Sequence, residues 1–335
     1  MTLNAWNLFY INYDPIAFSL FGLKVHWYGI CYVFALIFAL FIAQFFLKKY
    51  PQKFDIDSKD LDSYFIWAEV GVILGARIGY LAIYSDGVYY LLHPWEIFNP
   101  FDSQGNFIGI AGFSYHGGVV GFLIATIAFC KLKKLPLFSY LDLATISIPL
   151  AYTFGRIGNF LNQELYGRAL EPDSAFGFLG ILVGEELRYP SQLFEAFFEG
   201  IVLFSVMLFA LRLCKKSGEL ACVYGVGYSV ARFFCEYTRE ADSQMGYYAF
   251  GLSMGQILSI VMFASCVLLF LFRKDSQNHQ KTLENLKISS IKKKLSRTQK
   301  RLHRGIHFRE GDKFKGIDSQ KIATSQNKKA KKHKK

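Results

Sequence analysis

The residues from Gly155 to Glu164 close a long apolar stretch with Arg156, Asn159, Asn162, Gln163 and Glu164. A charged group at membrane depth costs roughly 2.5 to 3.5 kcal/mol on insertion scales, so such groups line cavities or substrate paths more often than lipid. On a helix, Arg156, Asn159 and Gln163 share one face, with Asn162 and Glu164 turned towards its flanks. An arginine among several amides suits a phosphate, which accepts many hydrogen bonds and matches the guanidinium fork. The competing reading is a buried polar network that locks helices together.

A second face of this kind is formed by Tyr228, Arg232, Glu236 and Arg239, spaced i, i+4, i+8 and i+11. An ion pair between Arg232 and Glu236 is its structural reading, and two arginine faces on separate helices make an anion site. Further on, His116 sits between Tyr115 and a pair of glycines. It reads either as a hydrogen-bonded structural residue or as a base working near neutral pH. Arg77 and Tyr80 lie beside Gly75 and Gly79; Arg77 either lines a cavity or snorkels to the interface. His26-Trp27-Tyr28-Gly29 fits an aromatic belt. In Pro190-Ser191-Gln192-Leu193-Phe194-Glu195, the proline and serine explain a helix start but leave Glu195 unexplained.

The elements that must position these groups are membrane spans. Hydrophobic residues make up 52% of the chain and come in blocks, which places it in the membrane class. A span needs about 20 mostly apolar residues. Seven windows qualify: Trp27–Leu47, Leu61–Tyr84, Gly117–Leu132, Tyr140–Phe160, Gln192–Leu213, Leu220–Tyr237 and Leu252–Phe272. The expected fold is therefore all-α and polytopic, with seven transmembrane helices. Lys and Arg cluster after the first, third, fifth and seventh windows, whereas Ser85–Gly112 has neither. The positive-inside bias then puts the N-terminus outside and the C-terminus in the cytoplasm. Gly71, Gly75 and Gly79 form a smooth stripe for close packing of another helix.

The net charge of +12 belongs to the end of the chain: residues 273–335 carry 21 Lys and Arg against 5 Asp and Glu. Residues 1–275 are thus expected to form the membrane domain, and 276–335 a basic, mostly disordered cytoplasmic tail attracted to anionic lipid. The tail lacks interleaved aromatic residues, so nucleic acid is not an expected partner. The six cysteines show no metal or redox spacing and read as small packing residues. Met1–Gly22 has no basic n-region or cleavage pattern and reads as an interfacial segment rather than a removable signal peptide.

Taken together, these motifs resemble the prolipoprotein diacylglyceryl transferase family of bacterial inner-membrane enzymes. The resemblance rests on His26–Gly29, Gly75–Tyr80, Phe113–Gly118, Gly155–Arg168, Pro190–Glu195, Gly227–Glu236 with Arg239, and Ser253–Ser259, and covers residues 1–272 in order. Tyr189 stands where the family pattern has His, and Phe194 where Tyr is common. The resemblance implies transfer of the sn-1,2-diacylglyceryl group from phosphatidylglycerol to the lipobox cysteine of a preprolipoprotein, with glycerol-1-phosphate as by-product, and the charge topology puts the site towards the outer leaflet. It implies no cofactor or metal. On this reading His116 is the candidate base, and Arg156 and Arg232 stabilise the leaving phosphate. Arg77 and Arg239 lie farther out, Asn159 and Asn162 hold the glycerol head or the phosphate, Glu164 and Glu236 orient the arginines, and Tyr28 and Tyr80 line the head-group pocket. Glu195 and Tyr228 complete the set of substrate-binding candidates. An organic-anion transporter and a structural scaffold are the competing classes; no internal repeat of the transporter kind is evident.

Overall fold

The structure is a computed structural model that describes residues 3–20, 23–84, 87–101, 104–105, 112–171, 173–240 and 246–272. The basic tail expected from 276 onward lies outside them. Among the described residues, seven long helices follow the seven apolar windows. They are α1 (Trp27–Lys49), α2 (Ser58–Tyr84), α3 (Tyr115–Lys133), α4 (Leu137–Leu161), α5 (Ser191–Leu213), α6 (Glu219–Cys235) and α7 (Met254–Phe272). Six are long and apolar enough to cross a membrane; α6 has 17 residues and falls just short. The chain is mostly helical but not all-α. Two short hairpins pair β1 (Ile16–Leu20) with β2 (Leu23–His26), and β3 (Ile181–Val183) with β4 (Glu186–Arg188). Strands of three to five residues leave no trace in a hydropathy pattern read over 20 residues.

The glycine stripe of α2 packs against Gly117 and Gly121 of α3. A Cβ added to Gly75 would stand 2.6 Å from the Gly121 Cα, and one on Gly79 2.7 Å from the Gly117 Cα. Backbones therefore meet directly, as small residues at this spacing allow. Ser114 starts α3 twice over: its Oγ accepts the Gly117 amide at 3.3 Å, and its own amide donates to the Ala76 carbonyl at 2.9 Å. At another close approach, a side chain on Gly200 of α5 would run into Thr153 of α4.

One end of the bundle is an apolar plug. Phe46, Phe54, Tyr64, Phe129, Tyr140 and Met207 are buried there in a single cluster. Two charged side chains tie off helix ends around it. The Asp142 carboxylate of α4 accepts the amides of Gly218 at 2.5 Å and Ala221 at 2.9 Å, capping the start of α6. Lys53 Nζ donates to the carbonyls of Leu211 and Cys214 at the end of α5. Both signs agree with the helix dipole. The α5–α6 hairpin is thereby fixed at its turn, and the opposite ends of these helices hold the polar residues.

Candidate active site

Glu195 is the hub of those polar residues. It is fully buried, and its carboxylate meets three arginines: Arg156 Nε at 2.8 Å, Arg232 Nη1 at 3.3 Å and Arg239 Nη1 at 3.1 Å. Each arginine comes from a different place: α4, α6 and the turn after α6. Residues Ala196–Val202 of α5 form a π-helical stretch, a feature often found at functional sites. It begins right after Glu195 and contains Glu199, which also faces the cluster. Glu199 Oε2 accepts the Tyr152 hydroxyl at 2.6 Å, and its Oε1 lies 3.6 Å from Arg232 Nη1.

Arg232 is paired in addition with Glu236, Nη2 to Oε2 at 2.7 Å. Glu236 Oε1 accepts the Ser253 hydroxyl at 3.0 Å, and Gly255 leaves room for that carboxylate: an added Cβ there would stand 2.6 Å from Glu236 Oε1. The start of α7 thus holds the acid that holds Arg232. Arg156 is framed on its own helix. Its Nε donates to the Tyr152 hydroxyl at 2.7 Å, its guanidinium lies 4.9 Å from the centre of the Tyr152 ring, and its Nη1 donates to Asn159 Oδ1 at 3.4 Å. Asn159 Nδ2 in turn donates to Glu164 Oε1 at 2.8 Å.

The structure therefore brings Arg156, Asn159, Glu164, Glu195, Arg232, Glu236 and Arg239 into one network. Tyr228 borders it through Tyr115, whose hydroxyl donates to that of Tyr228 at 3.0 Å. His116 is the next residue along α3, with its ring 5.8 Å from that of Tyr115. His116 is exposed at the protein surface. Tyr28, at the start of α1, lies over Gly158, where an added Cβ would stand 3.4 Å from its Cδ2.

Three placements differ from the sequence pattern. Helix α4 ends at Leu161, with Asn162 as its cap and Gln163 in the left-handed region at φ 55°. Gln163 consequently leaves the Arg156 face, and its amide donates to the carbonyls of Tyr10 and Tyr13 in the N-terminal segment. Asn162 contributes its backbone amide to the end of α4, donating to the Gly158 carbonyl at 2.9 Å. Arg77 is buried and donates to the carbonyls of Ile97 at 2.6 Å and Gly112 at 3.1 Å, so it ties down the connection between α2 and α3. Tyr80 packs beside it over Gly112, whose φ of 88° and crowding by that ring both require glycine.

Tyr152 and Glu199 belong to the network although neither stood out in the sequence. Each lies four residues from a charged group already singled out, Tyr152 before Arg156 and Glu199 after Glu195, and that spacing was the available signal. Arg168 was quoted only within a motif. Its Nε donates to the Arg239 carbonyl at 2.7 Å and so shapes the turn that delivers Arg239. An apolar cavity of about 800 Å³ lies between α5 and α6, lined by Phe194, Phe198 and Val202 on one side and by Gly227, Val230 and Phe234 on the other. Tyr189 lines it too, so both departures from the family pattern fall in its wall and not in the arginine network.

The comparisons with known proteins agree on one family. A family model described as prolipoprotein diacylglyceryl transferase matches residues 15–272. The phosphatidylglycerol–prolipoprotein diacylglyceryl transferase of Helicobacter hepaticus is 56% identical over 272 residues, which cover 81% of this chain and 93% of that protein. That of Campylobacter hominis is 55% identical over 288 residues, covering 84% and 99%. That of Helicobacter pylori strain J99 is 56% identical over 262 residues, covering 78% and 93%. With its ordered motifs, its buried arginine network and this similarity along most of its length, the chain belongs to the prolipoprotein diacylglyceryl transferase family.

Proposed function

We propose that this protein transfers the sn-1,2-diacylglyceryl group of phosphatidylglycerol to the lipobox cysteine of preprolipoproteins. In the reaction the thiol loses its proton, the sulfur bonds to the terminal glyceryl carbon, and the carbon–oxygen bond to the phosphate breaks. The products are a thioether and glycerol-1-phosphate. The observation that carries the reading is the convergence of Arg156, Arg232 and Arg239 on the single buried carboxylate of Glu195. Guanidinium groups held in advance of the substrate stabilise charge that builds up on a leaving phosphate. Arg156 and Arg232 take this role, and Arg239 helps to fix the carboxylate between them.

His116 is the group assigned to the thiol proton. A free thiol has a pKa of about 8.5 and attacks only as the thiolate. The assignment rests on His116 standing beside Tyr115 at the edge of the arginine network, exposed to an incoming peptide. Asn159 and Glu164 are placed to bind the glycerol head, and Tyr28 to cover it. The apolar cavity between α5 and α6 offers space for hydrocarbon beside the reacting centre. In the membrane, the chain crosses seven times, with α6 as the short sixth span. The N-terminus and the active site lie at the outer face of the bacterial inner membrane, where secreted precursors emerge, and the C-terminus is cytoplasmic.

The apolar plug weighs against an anion transporter, because the polar network occupies one end of the bundle and the other end is filled by packed aromatic side chains. The deciding experiment incubates the purified protein, in phosphatidylglycerol vesicles labelled in the glycerol backbone of the lipid, with a synthetic lipobox peptide. Label bound to the peptide through a thioether is the expected result. Its absence, with folded protein and both substrates present, refutes the proposal.

A further inference from the structure

Tyr152 does more in the structure than fill space. It lies one turn before Arg156 on α4, and its hydroxyl is used in both directions. It accepts from Arg156 Nε at 2.7 Å and donates to Glu199 Oε2 at 2.6 Å. The ring lies 4.9 Å from the Arg156 guanidinium and meets Tyr228 edge-on at 6.2 Å. Arg156 Nε is also 2.8 Å from Glu195 Oε2. The Nε side of the guanidinium is thus closed by a phenol and a carboxylate, which leaves the terminal nitrogens, with Nη1 also on Asn159 Oδ1 at 3.4 Å, as the edge a ligand can meet. Tyr152 also ties two helices together at this point, because Glu199 lies in the π-helical stretch of α5.

We propose that Tyr152 is a positioning residue of the transferase: its hydroxyl fixes the rotation of the Arg156 guanidinium so that the terminal nitrogens face the departing phosphate. The inference rests on the role of Arg156 given under the proposed function. An arginine has several rotatable bonds, and an interaction that matters only when charge develops depends on its being held in place beforehand. A phenol that accepts from Nε while its ring lies beside the guanidinium supplies that restraint. A phenylalanine would keep the stacking and the packing against Tyr228 but release Nε and leave Glu199 Oε2 without its donor.

The test compares wild type, Tyr152→Phe and Arg156→Ala in full-length protein, in the vesicle and lipobox-peptide assay. Tyr152→Phe is expected to lower kcat by about 10- to 100-fold, the range for a lost hydrogen bond to a charged group. The KM for phosphatidylglycerol should change less than about threefold, because the interaction is gained in the transition state. The thermal unfolding midpoint should fall by a few degrees, because the buried Glu199 Oε2 loses its donor, so rates are compared per folded protein. Unchanged kcat overturns the proposal, as does a raised KM with kcat intact. So does a loss of rate in proportion to lost folded protein, measured by gel filtration of the same sample. An inactive wild type, or a fully active Arg156→Ala, points instead to failure of the underlying functional reading, so the two failures are separable.

Discussion

Replacing Glu195 by glutamine removes one negative charge and almost no volume, and the consequences can be worked out from distances. At 2.8, 3.3 and 3.1 Å from Arg156, Arg232 and Arg239, each attraction is about 5 kcal/mol at an effective dielectric constant of 20, before desolvation is subtracted. Most of that is offset by the cost of burying the charges; what remains when one partner of a buried pair is removed is typically about 3 to 5 kcal/mol. In Glu195→Gln the amide can face only some of the arginines with its oxygen and must present N–H groups to another. Arg156 and Arg232, which repel each other across the site, lose the charge that holds them close. The expected result is a stability loss of about 3 kcal/mol together with a fall in kcat greater than about 100-fold, corresponding to two or more misplaced charge-assisted contacts. Thermal unfolding in detergent and initial transfer rates measure the two effects. Wild-type stability with wild-type turnover would refute the claim that Glu195 organises the arginines. Lost stability with normal turnover of the surviving folded fraction would confine it to a structural role.

Gly75→Val places methyl groups where α2 and α3 touch, with an added Cβ only 2.6 Å from the Gly121 Cα; the helices must separate, and the yield of monodisperse protein should collapse. Normal yield would show that the interface can yield at that point. Asp142→Ala uncovers the amides of Gly218 and Ala221 and should cost about 1 to 3 kcal/mol of stability while leaving KM for the lipid unchanged, because the cap lies at the plugged end. A changed KM would reveal communication along α6 that static packing does not suggest. His116→Gln should slow transfer and remove the imidazole limb from the pH profile of kcat/KM. An unchanged profile would mean that another group takes the thiol proton.

The bundle could be read in the sequence because α1 to α5 and α7 are long apolar runs whose ends carry clustered charges, glycine or proline. The glycine stripe of α2 was equally legible, since its repeat every four residues has few other uses. Glu195 was visible as an acid without a local explanation, and three arginines from elsewhere in the chain supply one. Convergence of this kind depends on which helices are neighbours, and periodicity along one helix does not contain that information. Gln163 shows the reverse problem. Its spacing from Arg156 is helical, but α4 stops at Leu161 and a left-handed residue turns the side chain towards the N-terminal segment. Arg239 also lies beyond the end of its helix, yet the turn held by Arg168 returns it to Glu195.

The balance of charge in the network bears on how it could serve the proposed reaction. Three arginines without counter-charges would be costly to insert, at up to roughly 2.5 to 3.5 kcal/mol each on insertion scales, and would trap any anionic head group in the surrounding lipid. Glu195, Glu199 and Glu236 remove both problems by pairing with the arginines inside the protein. The same pairs hold the guanidinium groups still. A phosphate diester, already singly charged, then finds ordered N–H donors but no large net positive charge, so binding of the donor lipid stays moderate. As the carbon–oxygen bond breaks, the leaving phosphate gains a second negative charge, and the ordered donors gain most at that moment. Such a site favours the transition state over the ground state, which is the distinction between a transferase and a site that merely stores an anionic lipid.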